Sequence, residues 1–191
     1  FRLLDAPREP EDAPDAVEAK NVQGEVRFKN VRFSYDGKTD IIKNLSFTAL
    51  PGQTIAIVGP TGAGKTTLVN LMMRFYDTQE GSITLDGRDI RKYTLKSLRG
   101  AFTMVLQDTW LFEGTIYENI AYGKENASRS EVEKVAQAAH IADFINSRPN
   151  KYETMITDGG ENLSKGQKQL MTIARAMLSP AHMLILDEPA L

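Results

Sequence analysis

The chain of 191 residues has no cysteine. That excludes disulfides and thiolate-bound metals, and it is compatible with a reducing compartment. Long apolar runs are absent too: none approaches the ~20 residues that a membrane-spanning helix needs, and no signal peptide is visible. Neither sign of charge is in excess, with 23 Lys and Arg against 25 Asp and Glu, for a net charge of -2. Nucleic acid or an anionic membrane surface therefore gains no argument from charge. No internal repeat is present. What remains is an ordinary globular composition, 41% hydrophobic and 25% charged, long enough for one domain with a sizeable core. The sequence opens on Phe1 and closes on Leu191. Both ends read as cut, so a piece of something longer is expected.

The most informative stretch is Gly59-Pro60-Thr61-Gly62-Ala63-Gly64-Lys65-Thr66. It fits G-x-x-x-x-G-K-[ST], a phosphate-cradling loop. Residues 54–58 before it predict a short buried strand. Residues 65–76 after it predict a helix with Leu68, Leu71, Met72 and Phe75 on one face. The glycines let the loop turn its N–H groups inward, and the helix N-terminus adds partial positive charge where phosphates would sit. Lys65 is placed to reach the β and γ phosphates, and the Thr66 hydroxyl to ligate Mg²⁺.

Proline and acidic residues crowd residues 5–20, which predicts an extended, solvated linker. Two strand-like stretches follow. Val26/Phe28 and Val31/Phe33 alternate with a break at Asn30, and Leu45, Phe47 and Ala49 alternate in the second. Asp36-Gly37-Lys38 marks the turn between them. Tyr35, just after the first strand, suits a core or rim position or a platform for a base. Residues 81–87 predict a strand entering an Asp-Gly turn, and residues 94–99 a short helix. Residues 102–106 predict a buried strand ending at Gln107, either a surface residue or a group where ligands sit in open α/β sheets. Helices are predicted at 115–121 and at 131–140, the second with Ser130 and Glu133 as a partial cap. No strand other than 102–106 is expected between 94 and 162.

Farther on, Leu163-Ser164-Lys165-Gly166-Gln167 opens a helix reaching about Ser179, with Ser164 as N-cap. Leu170, Ile173, Ala174, Met177 and Leu178 form its expected apolar face. Ser164 and Gly166 sit at an ordinary capped helix start or at a second phosphate site. Met183-Leu184-Ile185-Leu186 predicts a buried strand followed at once by Asp187 and Glu188. Near a phosphate loop, such a pair holds Mg²⁺ and polarises the attacking water.

Taken together, residues 24–189 resemble the nucleotide-binding domain of ABC transporters, and exporters most closely. Gly59 to Thr66 resembles the Walker A motif, residues 184–188 resemble Walker B with its catalytic glutamate, and residues 163–167 resemble the signature Leu-Ser-Gly-Gly-Gln at four positions. The resemblance implies a P-loop NTPase α/β core, an antiparallel β subdomain and a helical subdomain at about 94–162. Residues 1–23 would be a linker from a preceding membrane domain, and 24–191 the nucleotide-binding domain. The implied cofactors are ATP and Mg²⁺. ATP would be held by Gly59, Pro60, Thr61, Gly62, Ala63, Gly64, Lys65, Thr66 and Thr67, with Tyr35 stacked on adenine. Mg²⁺ would be served by Thr66, Gln107 and Asp187. Catalysis would fall to Glu188, Gln107 and Lys65. Ser164, Gly166 and Gln167 would serve the nucleotide of a second such domain, in a homo- or heterodimer. The implied setting is the cytoplasmic face of a membrane, with transmembrane domains as further partners and no nucleic acid.

Two departures from the family pattern stand out. Lys165 replaces the first signature glycine, which keeps open a heterodimer with one weakened site or a regulatory subunit that does not hydrolyse ATP. A soluble, non-transport ABC ATPase is a third possibility. The D-loop and the switch histidine that follow Walker B in the family are not in the sequence, and His140 and His182 both precede Walker B. Weak or no hydrolysis is therefore expected of these residues alone, along with reduced stability from an unfinished sheet.

Overall fold

A computed structural model describes residues 11–106, 109–157 and 159–187. The chain forms two compact units that divide between Phe102 and Thr103.

In the first unit, strands β1 (Val26–Phe33) and β2 (Ile42–Ala49) are joined through the Asp36 turn. The P-loop and helix α1 (Lys65–Met72) come next, then β3 (Glu80–Leu85) and β4 (Arg88–Asp89). The four strands form an antiparallel sheet in the order β2-β1-β3-β4. The predicted alternation holds along β1, where Val26, Phe28, Val31 and Phe33 are buried. The break at Asn30 is real as well: its φ is 49°, and the β1–β2 register shifts between Phe28 and Val31. Such a bulge re-aims the strand while keeping both halves on one face. Phe28 stacks on Phe47 at 4.6 Å between ring centroids. Asp86 and Gly87, both at positive φ, make the tight β3–β4 hairpin that an Asp-Gly pair favours. Helix α2 (Leu95–Gly100) is capped by the Thr94 hydroxyl.

Four expectations for residues 11–106 need correction. Residues 54–58 are not a buried strand: residues 53–60 carry no strand, and Ile55, Ile57 and Val58 are 46%, 41% and 89% exposed. A strand exists only with a ladder partner. The sheet of this unit has β2 and β4 at its edges, and residues 53–60 join neither. Helix α1 stops at Met72, and Arg74 turns left-handed at φ 53°. The change of direction leaves Phe75 exposed and buries Met73 in its place. The strand at 102–106 is shorter and only half buried: β5 (Phe102–Val105) has buried ends and a part-exposed middle, and Leu106 beyond it is 52% exposed. The acidic stretch does not run free in solvent over its described residues. Val17 N–H donates to the Lys92 carbonyl, the Thr94 N–H donates back to Val17, and the Asp12 carboxylate accepts from the Leu95 N–H.

The second unit packs helices α3 (Ile116–Ala121), α4 (Arg129–Ala138), α5 (Ala142–Asn146) and α6 (Lys165–Leu178) on a core that includes Ile116, Ile120, Val132, Ile145, Met171 and Ala174. Short strands β6 (Gly114–Thr115) and β7 (Met155–Ile156) pair antiparallel, so the stretch between 94 and 162 holds more strand than expected. Two-residue strands carry too little pattern to be read from sequence. The cap of α4 also lies earlier than predicted. Ser128 and Glu131 form the capping box, because Arg129 and Ser130 already belong to the first turn. On α6 the buried stripe is Met171, Ala174 and Leu178, while Met177 is 47% exposed. The true face is rotated by about one residue from the expected one, since Leu170 and Ile173 are only partly buried.

Strand β8 (Met183–Leu186) pairs with β5. It is not fully buried: Leu184 and Leu186 are 51% and 53% exposed, alternating with half-buried Met183 and Ile185. Successive side chains point to opposite faces, and one face is left open. Within this unit Arg175 ties α6 to α3 and to the loop before it. Its guanidinium donates to the Asn119 and Trp110 carbonyls and to Asn119 Oδ1, at 2.8–3.1 Å. Burial lowers its pKa.

Candidate functional site

The P-loop needs a sharp turn immediately before a helix, and its glycines allow it. Gly64, the residue before α1, stands at φ 88°. A Cβ there would lie 2.9 Å from Ile42 Cδ1 and 3.0 Å from Ile41 Cγ2. Glycine is thus required both by conformation and by the close approach of the β2 start. The loop closes on itself where the Ala63 N–H donates to the Pro60 carbonyl at 3.1 Å. Lys65 folds back across it, its Nζ donating to the carbonyls of Gly59 at 2.8 Å and Pro60 at 3.1 Å.

Unlike α2, α3, α4 and α6, helix α1 has no side chain capping its N-terminus, and no acidic residue lies in its first turn. The first N–H groups of a helix need acceptors, and here the dipole and Lys65 add positive charge beside them. That donor set suits an anion with several oxygens. Thr61, Gly62, Ala63 and Thr66 are exposed, and Thr67 is buried. Thr66 offers one hydroxyl oxygen on the open first turn. No group of three His, Cys, Asp or Glu side chains able to hold a metal occurs among the described residues.

Tyr35 joins this site within the same unit. Its hydroxyl donates to Thr67 Oγ1 at 3.2 Å and accepts from Asn70 Nδ2 at 3.4 Å, both on α1. Its ring meets Phe33 and Tyr76 edge-on, at 4.9 and 5.0 Å between centroids. Even so, it is 51% exposed, so an apolar surface stays open beside the phosphate loop. The backbone around it is fixed on both sides. Ser34 N–H donates to Gln79 Oε1 at 2.8 Å, and Gln79 Nε2 donates to the Ser34 carbonyl at 2.6 Å. On the other side, Asp36 Oδ1 accepts from Ser34 Oγ and from the N–H groups of Lys38 and Thr39. These bonds, the backbone ones foremost, lower the Asp36 pKa to about 2. Thr67, Asn70, Tyr76 and Gln79 surround Tyr35 through chain reversals that no local pattern announces. Position alone left Tyr35 open between a core or rim residue and a base platform, and the resemblance favoured the platform.

In the second unit Ser164 caps α6 as predicted. Its Oγ accepts from the Gln167 N–H at 3.2 Å, and Gln167 Oε1 accepts from the Ser164 N–H at 2.9 Å, a reciprocal box. Ser164, Lys165 and Gly166 are exposed, and open space surrounds the Gly166 Cα. Asp187 follows β8, and its N–H donates to the Val105 carbonyl at 2.9 Å. Gln107 and Glu188 lie outside the described residues.

A family model described as "ABC transporter" matches residues 42–191. A "Fatty acid ABC transporter ATP-binding/permease protein" of Mycobacterium bovis is 51% identical over 98% of this chain and 30% of its own length. An "ATP-dependent lipid A-core flippase" of Desulfotalea psychrophila is 47% identical over 98% of this chain and 33% of its own. Among solved structures, a bacterial Atm1-family ABC exporter with ATP bound superposes with a TM-score of 0.90 and 45% identity, over 97% of this chain and 32% of that one. The chain spans about a third of the length of these relatives.

Proposed function

The chain belongs to the ABC transporter family, and from that premise we propose that it binds ATP with Mg²⁺ and hydrolyses it to drive export across a membrane. Its fold is the P-loop fold of ABC exporter nucleotide-binding domains. The observation that carries the proposal is the join between two subsites on one helix. An uncapped, positively charged helix start lies at one end of the loop, and an exposed tyrosine is hydrogen-bonded to the next turn. A nucleoside triphosphate has both an anion and a flat base to offer such a pair.

In this reading Lys65 and the loop amides hold the phosphates, and Tyr35 stacks on the base. Thr66 and Asp187 serve Mg²⁺, and Gln107 contacts the γ-phosphate side. Bound Mg²⁺ would neutralise charge between the β and γ phosphates. Glu188 orients the attacking water. Ser164, Gly166 and Gln167 complete the site of a second nucleotide-binding domain, because an exposed helix start carrying a serine hydroxyl suits a phosphate oxygen. Lys165 brings charge and bulk to that surface and weakens the partner's site relative to a glycine. Residues 1–23 serve as the linker from a membrane domain, and residues 24–191 act as the nucleotide-binding domain at the cytoplasmic face. Among the described residues no helix is long and apolar enough to cross a membrane. Transmembrane domains are the further partners that this reading calls for.

Titrating the chain with ATP in the presence of Mg²⁺ tests the first step. Saturable binding displaced by inorganic tripolyphosphate is expected. Failure to bind either compound would overturn the proposal.

A further inference from the structure

We infer that Gln79 is the positioning residue of the base platform: its side-chain amide clips Ser34 so that Tyr35 faces the nucleotide. The inference rests on the reading of Tyr35 as the base-stacking residue. Gln79 lies in the turn beyond α1, 45 residues from Ser34 in sequence. Ser34 follows the end of β1, and its backbone is paired there by a side chain instead of a strand. A primary amide presents one acceptor and two donors, so it imitates the edge of a neighbouring peptide. Gln79 uses both kinds on Ser34, at 2.8 and 2.6 Å. Its own N–H adds a third tie, to the Arg32 carbonyl at 3.2 Å. Ser34 is only 5% exposed, so losing the clip leaves backbone groups short of partners.

The same turn supplies Tyr76, whose ring edge braces Tyr35 and lies 5.7 Å from Phe33. One short segment therefore fixes the platform through its backbone and through its ring. That segment continues directly from the helix whose N-terminus forms the phosphate site. The base subsite is thereby referenced to the phosphate subsite, and the ring is pre-organised before a base arrives. Glutamate at 79 keeps the size but has no donor for the Ser34 carbonyl. Alanine removes both bonds.

The test measures Mg²⁺-dependent affinity for ATP and for inorganic tripolyphosphate, which has no base. It uses the full chain with Gln79→Ala, Gln79→Glu, Tyr35→Ala and the Tyr35→Ala/Gln79→Ala pair. Both Gln79 variants are expected to bind ATP about three- to tenfold more weakly, the loss of one or two hydrogen bonds' worth of ordering. Tripolyphosphate affinity should be unchanged, which also reports that the chain is folded. In the Tyr35→Ala background the Gln79 substitution should have no further effect. Equal weakening for both compounds, or a further loss in that background, would assign Gln79 a merely structural role. If Tyr35→Ala leaves ATP affinity untouched, the reading of Tyr35 fails. If Tyr35→Ala weakens ATP and Gln79→Ala does not, the inference alone fails.

Discussion

Replacing Lys65 by alanine is expected to lower ATP hydrolysis by the intact transporter on the order of 10²–10³-fold, the range seen when one preorganised donor to developing charge is removed. The ammonium group bridges the Gly59 and Pro60 carbonyls. It thus folds back over the loop from the first residue of α1, a helix with no side-chain cap. Phosphoryl transfer asks little covalent chemistry of a protein. Most of the acceleration in such reactions comes from positioning and charge, so the one cation of the loop is expected to carry a large share. Lys65→Arg should restore little, since a planar fork does not replace a compact point charge on a flexible stem. Steady-state turnover alongside ATP affinity checks this. Activity within a few-fold of the unsubstituted protein would mean that the loop does not hold the reacting phosphates.

The largest effect on stability is expected at Gly81. Its φ is 78°, and a Cβ there would lie 2.4 Å from the carbonyl oxygens of both Lys29 and Asn30. These are backbone atoms of β1, placed where the β1–β3 register shifts between Lys29 and Arg32. Backbone cannot swing aside as a flexible side-chain end can, so Gly81→Ala must push the two strands apart or break the bulge. A disallowed backbone and an overpacked contact together predict a loss of roughly 3–5 kcal/mol. Gly100→Ala is the matched control. Nothing lies within 4 Å of its would-be Cβ, and a change within about 1 kcal/mol is expected at the end of a helix. Urea unfolding of the two variants checks the difference. Similar midpoints would show that the close approach at Gly81 is not a constraint.

How far the sequence revealed this molecule depends on the range of the interactions. The P-loop, the Ser164 cap and the Asp86-Gly87 hairpin were legible because each is a local rule with a physical cause. Alternation along β1, including its break at Asn30, was legible because one face of the sheet is buried and the other is not. The stretch 54–58 misled because apolar composition promises a strand but cannot supply its ladder partner. Residue 75 misled because the helical period carried on past Arg74, where the backbone reverses. The α6 face was misplaced by one position because several apolar residues surround the stripe, and packing chose Met171 over Met177. Nothing local links Gln79 to Ser34, or Arg175 to Asn119 56 residues earlier. Those pairs exist only once the chain has folded back on itself. Of the candidate site, the phosphate loop was readable from the residues themselves, whereas for Tyr35 and Ser164 the residues left a structural and a ligand-binding role open and the family resemblance favoured the latter.

If Glu188 orients the attacking water as proposed, its loss separates ATP hydrolysis from ATP binding. Turnover and ATP binding by the intact transporter carrying Glu188→Gln check this. ATP is expected still to bind while hydrolysis is nearly abolished, since the amide cannot polarise the attacking water. Unchanged turnover would contradict it.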